Sequence, residues 1–215
     1  MTTATDQSRR SFFKRAAAAG GGLMLGFNWL DAGAATTLAE SAAPLAADAV
    51  PFNSYLSISP QGVITLFSPN PEVGQGIKTA FPMIVAEELD VDWKKVNVVQ
   101  APLDKARFER QVTGGSGAIP HSWKRLRQAG ATARRMMIDA AAARLKVPAD
   151  QLTTNLGTVV HAASGRKLTY GELAADAAQL PVPADVPLKD PKDFTLIGKS
   201  VRNVDNKAIA TGKPL

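Results

Sequence analysis

A chain of 215 residues has room for one or two domains, and its 25 Lys and Arg against 19 Asp and Glu give a formal charge of +6. Four of the basic and two of the acidic residues fall in the first 34 positions, so the remainder carries only about +4 and no basic run interleaved with aromatics, which excludes a dedicated nucleic-acid binder. The absence of cysteine excludes structural disulfides, thiolate zinc sites and iron–sulfur clusters held by this chain.

The amino terminus reads Ser8-Arg9-Arg10-Ser11-Phe12-Phe13-Lys14, then an uncharged Ala/Gly/Leu-rich run over residues 16–30 that ends near Ala32-Gly33-Ala34. A charged start, a short apolar stretch and small residues at the end have the layout of a twin-arginine export signal over residues 1–34. The run falls short of the ~20 apolar residues that span a bilayer. Cleavage after Ala34 and retention as an anchor both fit this layout, so periplasmic localisation, with or without membrane association, is expected. That route carries proteins already folded, which favours a cofactor protein. Residues 35–50 are Ala, Thr, Ser, Pro and Asp without periodicity and read as a flexible linker.

The folded part is expected to begin near Phe52. Tyr55, Ile58, Val63, Ile64, Leu66 and Phe67 flank Pro60-Gln61-Gly62, the pattern of a hairpin. A turn-rich Ser68-Pro69-Asn70-Pro71 follows, then Glu72-Val73-Gly74-Gln75-Gly76. Phe81, Ile84, Val85 and Leu89 next repeat at helical spacing, with Pro82 expected in the first turn. The β-branched run at residues 96–100 predicts another strand. A long helix is predicted over residues 123–146, capped by Ser122 and stopped by Val147-Pro148.

On that helix Leu126, Gly130, Ala133, Met137 and Ala140 share one face of small or apolar residues, suited to close approach by a neighbour. Lys124, Arg127, Arg134 and Arg135 cluster opposite and are read as a solvated face. Short strands at residues 152–155, 158–161 and around Leu168 are separated by turns at Leu156-Gly157 and Ser164-Gly165, and residues 170–180 return to helix. The order ββαβαββα predicts an α+β fold of short antiparallel strands with two long helices. His121 and His161 are expected as exposed loop residues, and the adjacent Glu87 and Glu88 as solvated ones.

Two glycine loops carry the chemical suggestion. Gly74-Gln75-Gly76 and Gly114-Gly115-Ser116-Gly117 each precede a predicted helix, where free N–H groups and the helix dipole can hold an anion. Neither matches a nucleotide code. Thr79 stands where the third glycine of the dinucleotide fingerprint belongs, and Gly76-Ile77-Lys78-Thr79 is not a P-loop. Each loop also serves simply as a tight turn.

The stretch Glu72-Val73-Gly74-Gln75-Gly76-Ile77-Lys78-Thr79-Ala80, with Val85-Ala86-Glu87-Glu88-Leu89-Asp90-Val91-Asp92-Trp93 behind it, resembles the molybdopterin-binding large (beta) subunit of the xanthine dehydrogenase/aldehyde oxidase family, in particular its isoquinoline 1-oxidoreductase and periplasmic aldehyde dehydrogenase types. Thr113-Gly114-Gly115-Ser116, Ser122-Trp123 with Leu126-Arg127, Ala129-Gly130-Ala131 and Pro181-Val182-Pro183 through Lys192-Asp193-Phe194 extend the likeness over nearly the whole chain. Ala118-Ile119-Pro120-His121 departs from the family pattern.

The resemblance implies a molybdenum–molybdopterin cofactor, in its cytosine dinucleotide form, contacted by Gly74, Gln75, Gly76, Gly114, Gly115 and Ser116. It implies a molybdopterin-binding segment over residues 51–195 and the start of a further domain over residues 196–215. Implied partners are the remaining domains of the large subunit, an iron–sulfur small subunit and a cytochrome c. The family's catalytic glutamate falls outside the matching text, so no catalytic residue and no metal ligand is assigned and the isolated chain is expected to be inactive. The implied function is the oxidation of an aldehyde or N-heterocycle. A truncated, non-catalytic fragment and an unrelated exported anion-binding domain are the alternatives.

Overall fold

The computed structural model describes residues 50, 51, 53 and 55–213, so the expected export signal and nearly all of the expected linker lie outside the described residues. Strands β1 (Val50–Pro51), β2 (Leu56–Ile58) and β3 (Ile64–Ser68) form an antiparallel run, with Leu56 opposite Leu66 across the predicted hairpin. Helix α1 (Ile77–Leu89) follows, then β4 (Val96–Gln100), which pairs with β3 in parallel. A parallel partner needs a crossover of a dozen or more residues, and α1 supplies it. The four-stranded sheet β1-β2-β3-β4 therefore contains one β–α–β crossover that the hairpin spacing does not reveal.

A short α2 (Lys105–Phe108) leads to the long α3 (Ala118–Leu145). Strands β5 (Leu152–Asn155), β6 (Thr158–His161) and β7 (Arg166–Thr169) make a separate antiparallel sheet, with turns at both expected places. Helix α4 (Tyr170–Ala177) starts from a capping box in which Thr169 and Glu172 satisfy each other's backbone N–H groups. Residues 178–205 return across the helices to α5 (Asn206–Ala210). The α+β class stands.

The core lies where α1 is enclosed. Leu56, Ile58 and Leu66 come from the sheet, Phe81, Val85 and Leu89 from α1, Leu126 and Met137 from α3, and Tyr170 and Leu173 from α4. Tyr170 is fully buried, and its hydroxyl donates to the Leu89 carbonyl at 2.8 Å. Burial pushes its pKa above the usual phenol range. The small face of α3 is buried as expected, and Gly130 is the reason the helices meet so closely. A Cβ there would lie 2.6 Å from the Val85 carbonyl oxygen and 3.0 Å from Glu88 Cβ.

Five expectations are corrected. Pro82 is the sixth residue of α1, because the helix begins directly after Gly76. Ser122 does not cap α3, which starts four residues earlier after Gly117. His161 is 7% exposed, with its ring nitrogens toward Ser164 Oγ (2.7 Å) and Gln151 Oε1 (3.3 Å), whereas His121 is exposed as expected but sits on α3. Arg127 leaves the solvated stripe to lie buried between the Trp123 and Phe194 rings at 5.5 and 5.0 Å. Glu87 and Glu88 are 2% and 0% exposed, because Arg127 of α3 and residues 189–197 are laid over them and give the carboxylates partners.

Candidate functional site

Strand β3 ends at Ser68, whose hydroxyl donates to the Asn70 carbonyl at 2.8 Å and turns the chain into the first glycine loop. Asn70 is buried, and its side chain joins the two loops. Nδ2 donates to the Val112 carbonyl at 2.8 Å and Oδ1 accepts from Ser122 Oγ at 3.4 Å. Next to it the Pro71 carbonyl accepts from Thr113 Oγ1 and from Gln75 Nε2, each at 2.8 Å. The approaches to Gly74 and Gly114, some 40 residues apart in sequence, are thus held side by side. The residues that join them, Asn70, Thr113 and Ser122, were not singled out as functional from sequence. The turn signal Ser68-Pro69-Asn70-Pro71 marks the bend but not its partner.

The first loop is closed on itself. Gly74 and Gly76 adopt φ of 97° and 81°, which an L-residue seldom reaches, and at Gly74 a Cβ would meet nothing within 4 Å. Backbone conformation, not crowding, therefore requires glycine at Gly74. Glu72 Oε1 accepts from the N–H groups of Gly74 (2.8 Å) and Gly76 (3.0 Å), and Oε2 accepts from Lys78 N–H (2.9 Å). These are groups that the sequence offers to an external anion. Partial burial pushes the Glu72 carboxyl up, but the N–H donors of Lys78, Gly76, Gly74 and Ile77 outweigh it and leave the group below the usual carboxylate range. Gln75 likewise spends its amide internally, with Oε1 accepting from Val73 N–H at 2.7 Å.

The second loop is open. Gly115 and Ser116 stand in succession at φ 58° and 53°, exposed, and among the described residues nothing accepts from their N–H groups. Gly117 N–H closes the turn onto the Gly114 carbonyl at 3.1 Å. A Cβ on Gly117 would lie 2.9 Å from His121 Nδ1 and 3.4 Å from Arg110 Nη2, so this glycine makes room for a basic pair at the head of α3.

Between the C-terminal ends of β3 and β4 and the start of α1 lies a cleft of about 390 Å³ lined by Ser68, Asn70, Pro71, Glu72, Lys78, Val98 and Gln100. Lys78 and Val98 also border a neighbouring cleft of about 230 Å³ that runs to Trp93 and Asp205. None of the six predicted contact residues lines either cleft; Glu72 and Pro71 are where the first loop reaches it. Lys78 Nζ pairs with Asp205 Oδ1 at 3.1 Å. No group of three or more His, Cys, Asp or Glu with metal-ligating geometry occurs among the described residues. Among them, too, no helix is long and apolar enough to cross a membrane.

The family model described as the molybdopterin cofactor-binding domain matches residues 9–210. The chain is 42% identical over 154 residues to the beta chain of isoquinoline 1-oxidoreductase from Brevundimonas diminuta, covering 69% of this chain and 19% of that protein. It is 36% identical over 160 residues to a subunit of nicotinate dehydrogenase from Pseudomonas putida, covering 74% and 13%. It is 33% identical over 151 residues to the membrane-bound aldehyde dehydrogenase (pyrroloquinoline-quinone) of Gluconacetobacter polyoxogenes, covering 68% and 19%. Among solved structures, quinoline 2-oxidoreductase from Pseudomonas putida 86 aligns with a TM-score of 0.47 at 20% identity, over 61% of this chain and 19% of that one. The chain spans between 13% and 19% of the length of these curated relatives.

Proposed function

We propose, from the premise that this chain belongs to the molybdopterin cofactor-binding domain family, that it supplies one cofactor-gripping segment of a larger molybdenum hydroxylase that oxidises an aldehyde or N-heterocycle. The observation that carries the reading is the lacing of the two glycine loops through Asn70, Pro71 and Thr113, which holds two glycine-rich backbones, distant in sequence, side by side next to the cleft that Pro71 and Glu72 line. Family membership removes the alternative of an unrelated anion-binding domain. The relatives named for isoquinoline, nicotinate and an aldehyde support the substrate class. The chain alone is proposed to turn over nothing.

The residues fit the cofactor unevenly. Gly115 and Ser116 offer exposed N–H donors suited to phosphate or pterin oxygens, and Gly114 leaves open space for a close approach. Gly74, Gln75 and Gly76 are proposed to touch it through the outer surface of their loop, since the N–H groups of Gly74 and Gly76 already serve Glu72. When bound, a molybdenum cofactor supplies the redox chemistry that places a water-derived oxygen on the substrate. These 215 residues hold no cysteine to ligate a cluster, so the electron acceptor is proposed to lie outside them, in an iron–sulfur small subunit that passes electrons to a cytochrome c. Periplasmic export by the twin-arginine route is proposed from Arg9-Arg10 and the apolar run behind them.

Metal and nucleotide analysis of the intact protein tests the proposal. Stoichiometric molybdenum, with cytidine monophosphate released by acid hydrolysis, is the expected result. Another nucleoside monophosphate would change the dinucleotide form alone, whereas a protein devoid of molybdenum, or one that yields a quinone cofactor instead, would overturn the reading.

A further inference from the structure

We infer that Glu72 is a positioning residue whose carboxylate acts as a built-in anion at the head of α1, holding the Gly74–Gly76 loop in its cofactor-accepting shape and reserving external anions for the second loop. This rests on the cofactor reading above. Three N–H donors spread over residues 74–78 converge on its two oxygens at 2.8 to 3.0 Å, so the carboxylate spans the loop like a brace. Gly76, the residue that caps α1, contributes no side chain, and Glu72 is what fills that place.

Helix starts carry partial positive charge, and an external phosphate would be drawn there were the position free. A tethered carboxylate competes at the high effective concentration of an intramolecular partner, and its charge repels a second anion. The loop is braced from its other side by Gln75, which bonds Val73 N–H and the Pro71 carbonyl. Gly115 and Ser116 have no such internal anion among the described residues. The two loops therefore divide the work: one is held rigid by its own acid, the other is left to receive negative charge.

The test uses the intact, molybdenum-loaded protein and compares Glu72→Gln with the parent by molybdenum retention through gel filtration across a pH series, and by amide hydrogen exchange over residues 74–78. Glu72→Gln should lose molybdenum at least about tenfold faster near neutral pH, the scale of one charge-assisted hydrogen bond. The folded pKa of Glu72 is depressed, so parental retention should hold at neutral and mildly acid pH and fall only as pH drops below the ordinary carboxylate range, a step the variant lacks. Acetate should slow the loss from a Glu72→Gly protein more than chloride does. If the parent holds molybdenum while the variant keeps it equally well, with unchanged amide exchange, the positioning role is wrong. A parent without molybdenum overturns the cofactor reading instead, and the exchange rates of residues 74–78 then still decide whether Glu72 braces the loop.

Discussion

Glu87 and Glu88 are neighbours on α1, about 100° apart around its axis, and each is buried against a different part of the molecule. Glu88 accepts from Arg127 Nε at 2.7 Å and from Lys189 N–H at 3.1 Å. Arg127 in turn donates to the Lys189 carbonyl and packs against two aromatic rings, so its charge, stem and planar faces are all used. Removing one partner of a buried pair leaves an uncompensated charge, which costs far more than a surface pair contributes. Glu88→Ala should therefore destabilise the protein by about 3–5 kcal/mol, read as a lowered urea midpoint. The exposed Arg135–Asp139 pair should cost roughly 0.5 kcal/mol or less when broken in the same assay.

At the scale of elements the crossing of α1 and α3 dominates. An alanine in a helix ordinarily gains about 1 kcal/mol over glycine. At Gly130 that gain loses to sterics, because the new methyl would press on the Val85 carbonyl and the Glu88 stem. Gly130→Ala should be destabilising by about 1–3 kcal/mol, measured by thermal unfolding, and a neutral result would mean that the helices separate cheaply. Pro82 illustrates a related trade on α1. Its ring leaves the Lys78 carbonyl without an intrahelical donor. Both residues border the smaller cleft.

At the scale of the whole molecule, the return segment ties the far end of the chain to the site. Glu87 accepts from the N–H groups of Thr195, Leu196 and Ile197 at 2.7 to 3.2 Å and pairs with Lys189. Farther on, Val204 N–H donates to Thr79 Oγ1 at 3.0 Å and Asp205 meets Lys78, both on the first turn of α1. Burial raises the Glu87 carboxyl, but the Ile197, Leu196 and Thr195 donors and Lys189 bring it below its ordinary value of 4.5. A depressed folded pKa means stability present above that ordinary value and lost as pH falls through the folded one. Protection of the amides of residues 195–197, taken against the intrinsic exchange rate at each pH, should thus hold down to about pH 5 and fall below the usual carboxylate range, while α3 remains protected. Simultaneous release of both would show that the segment is not a separate unit.

Much of this was legible along the chain. The hairpin at Gly62, the strand at residues 96–100, the small face of α3 and the turns at Gly157 and Gly165 follow from spacings that act locally, and the family was legible through the resemblance of whole stretches such as residues 72–80 to known members. What could not be read were pairings between distant residues: Glu87 with residues 195–197, Arg127 with Glu88, Asn70 with Val112, and the parallel seat of β4 beside β3. Periodicity records which way a side chain faces on its own element, whereas the partner it meets depends on how elements pack. A charged residue therefore looks solvated until another segment is laid over it. Local chemistry defined the pieces; three-dimensional packing chose which acids were buried and which backbone donors were already taken.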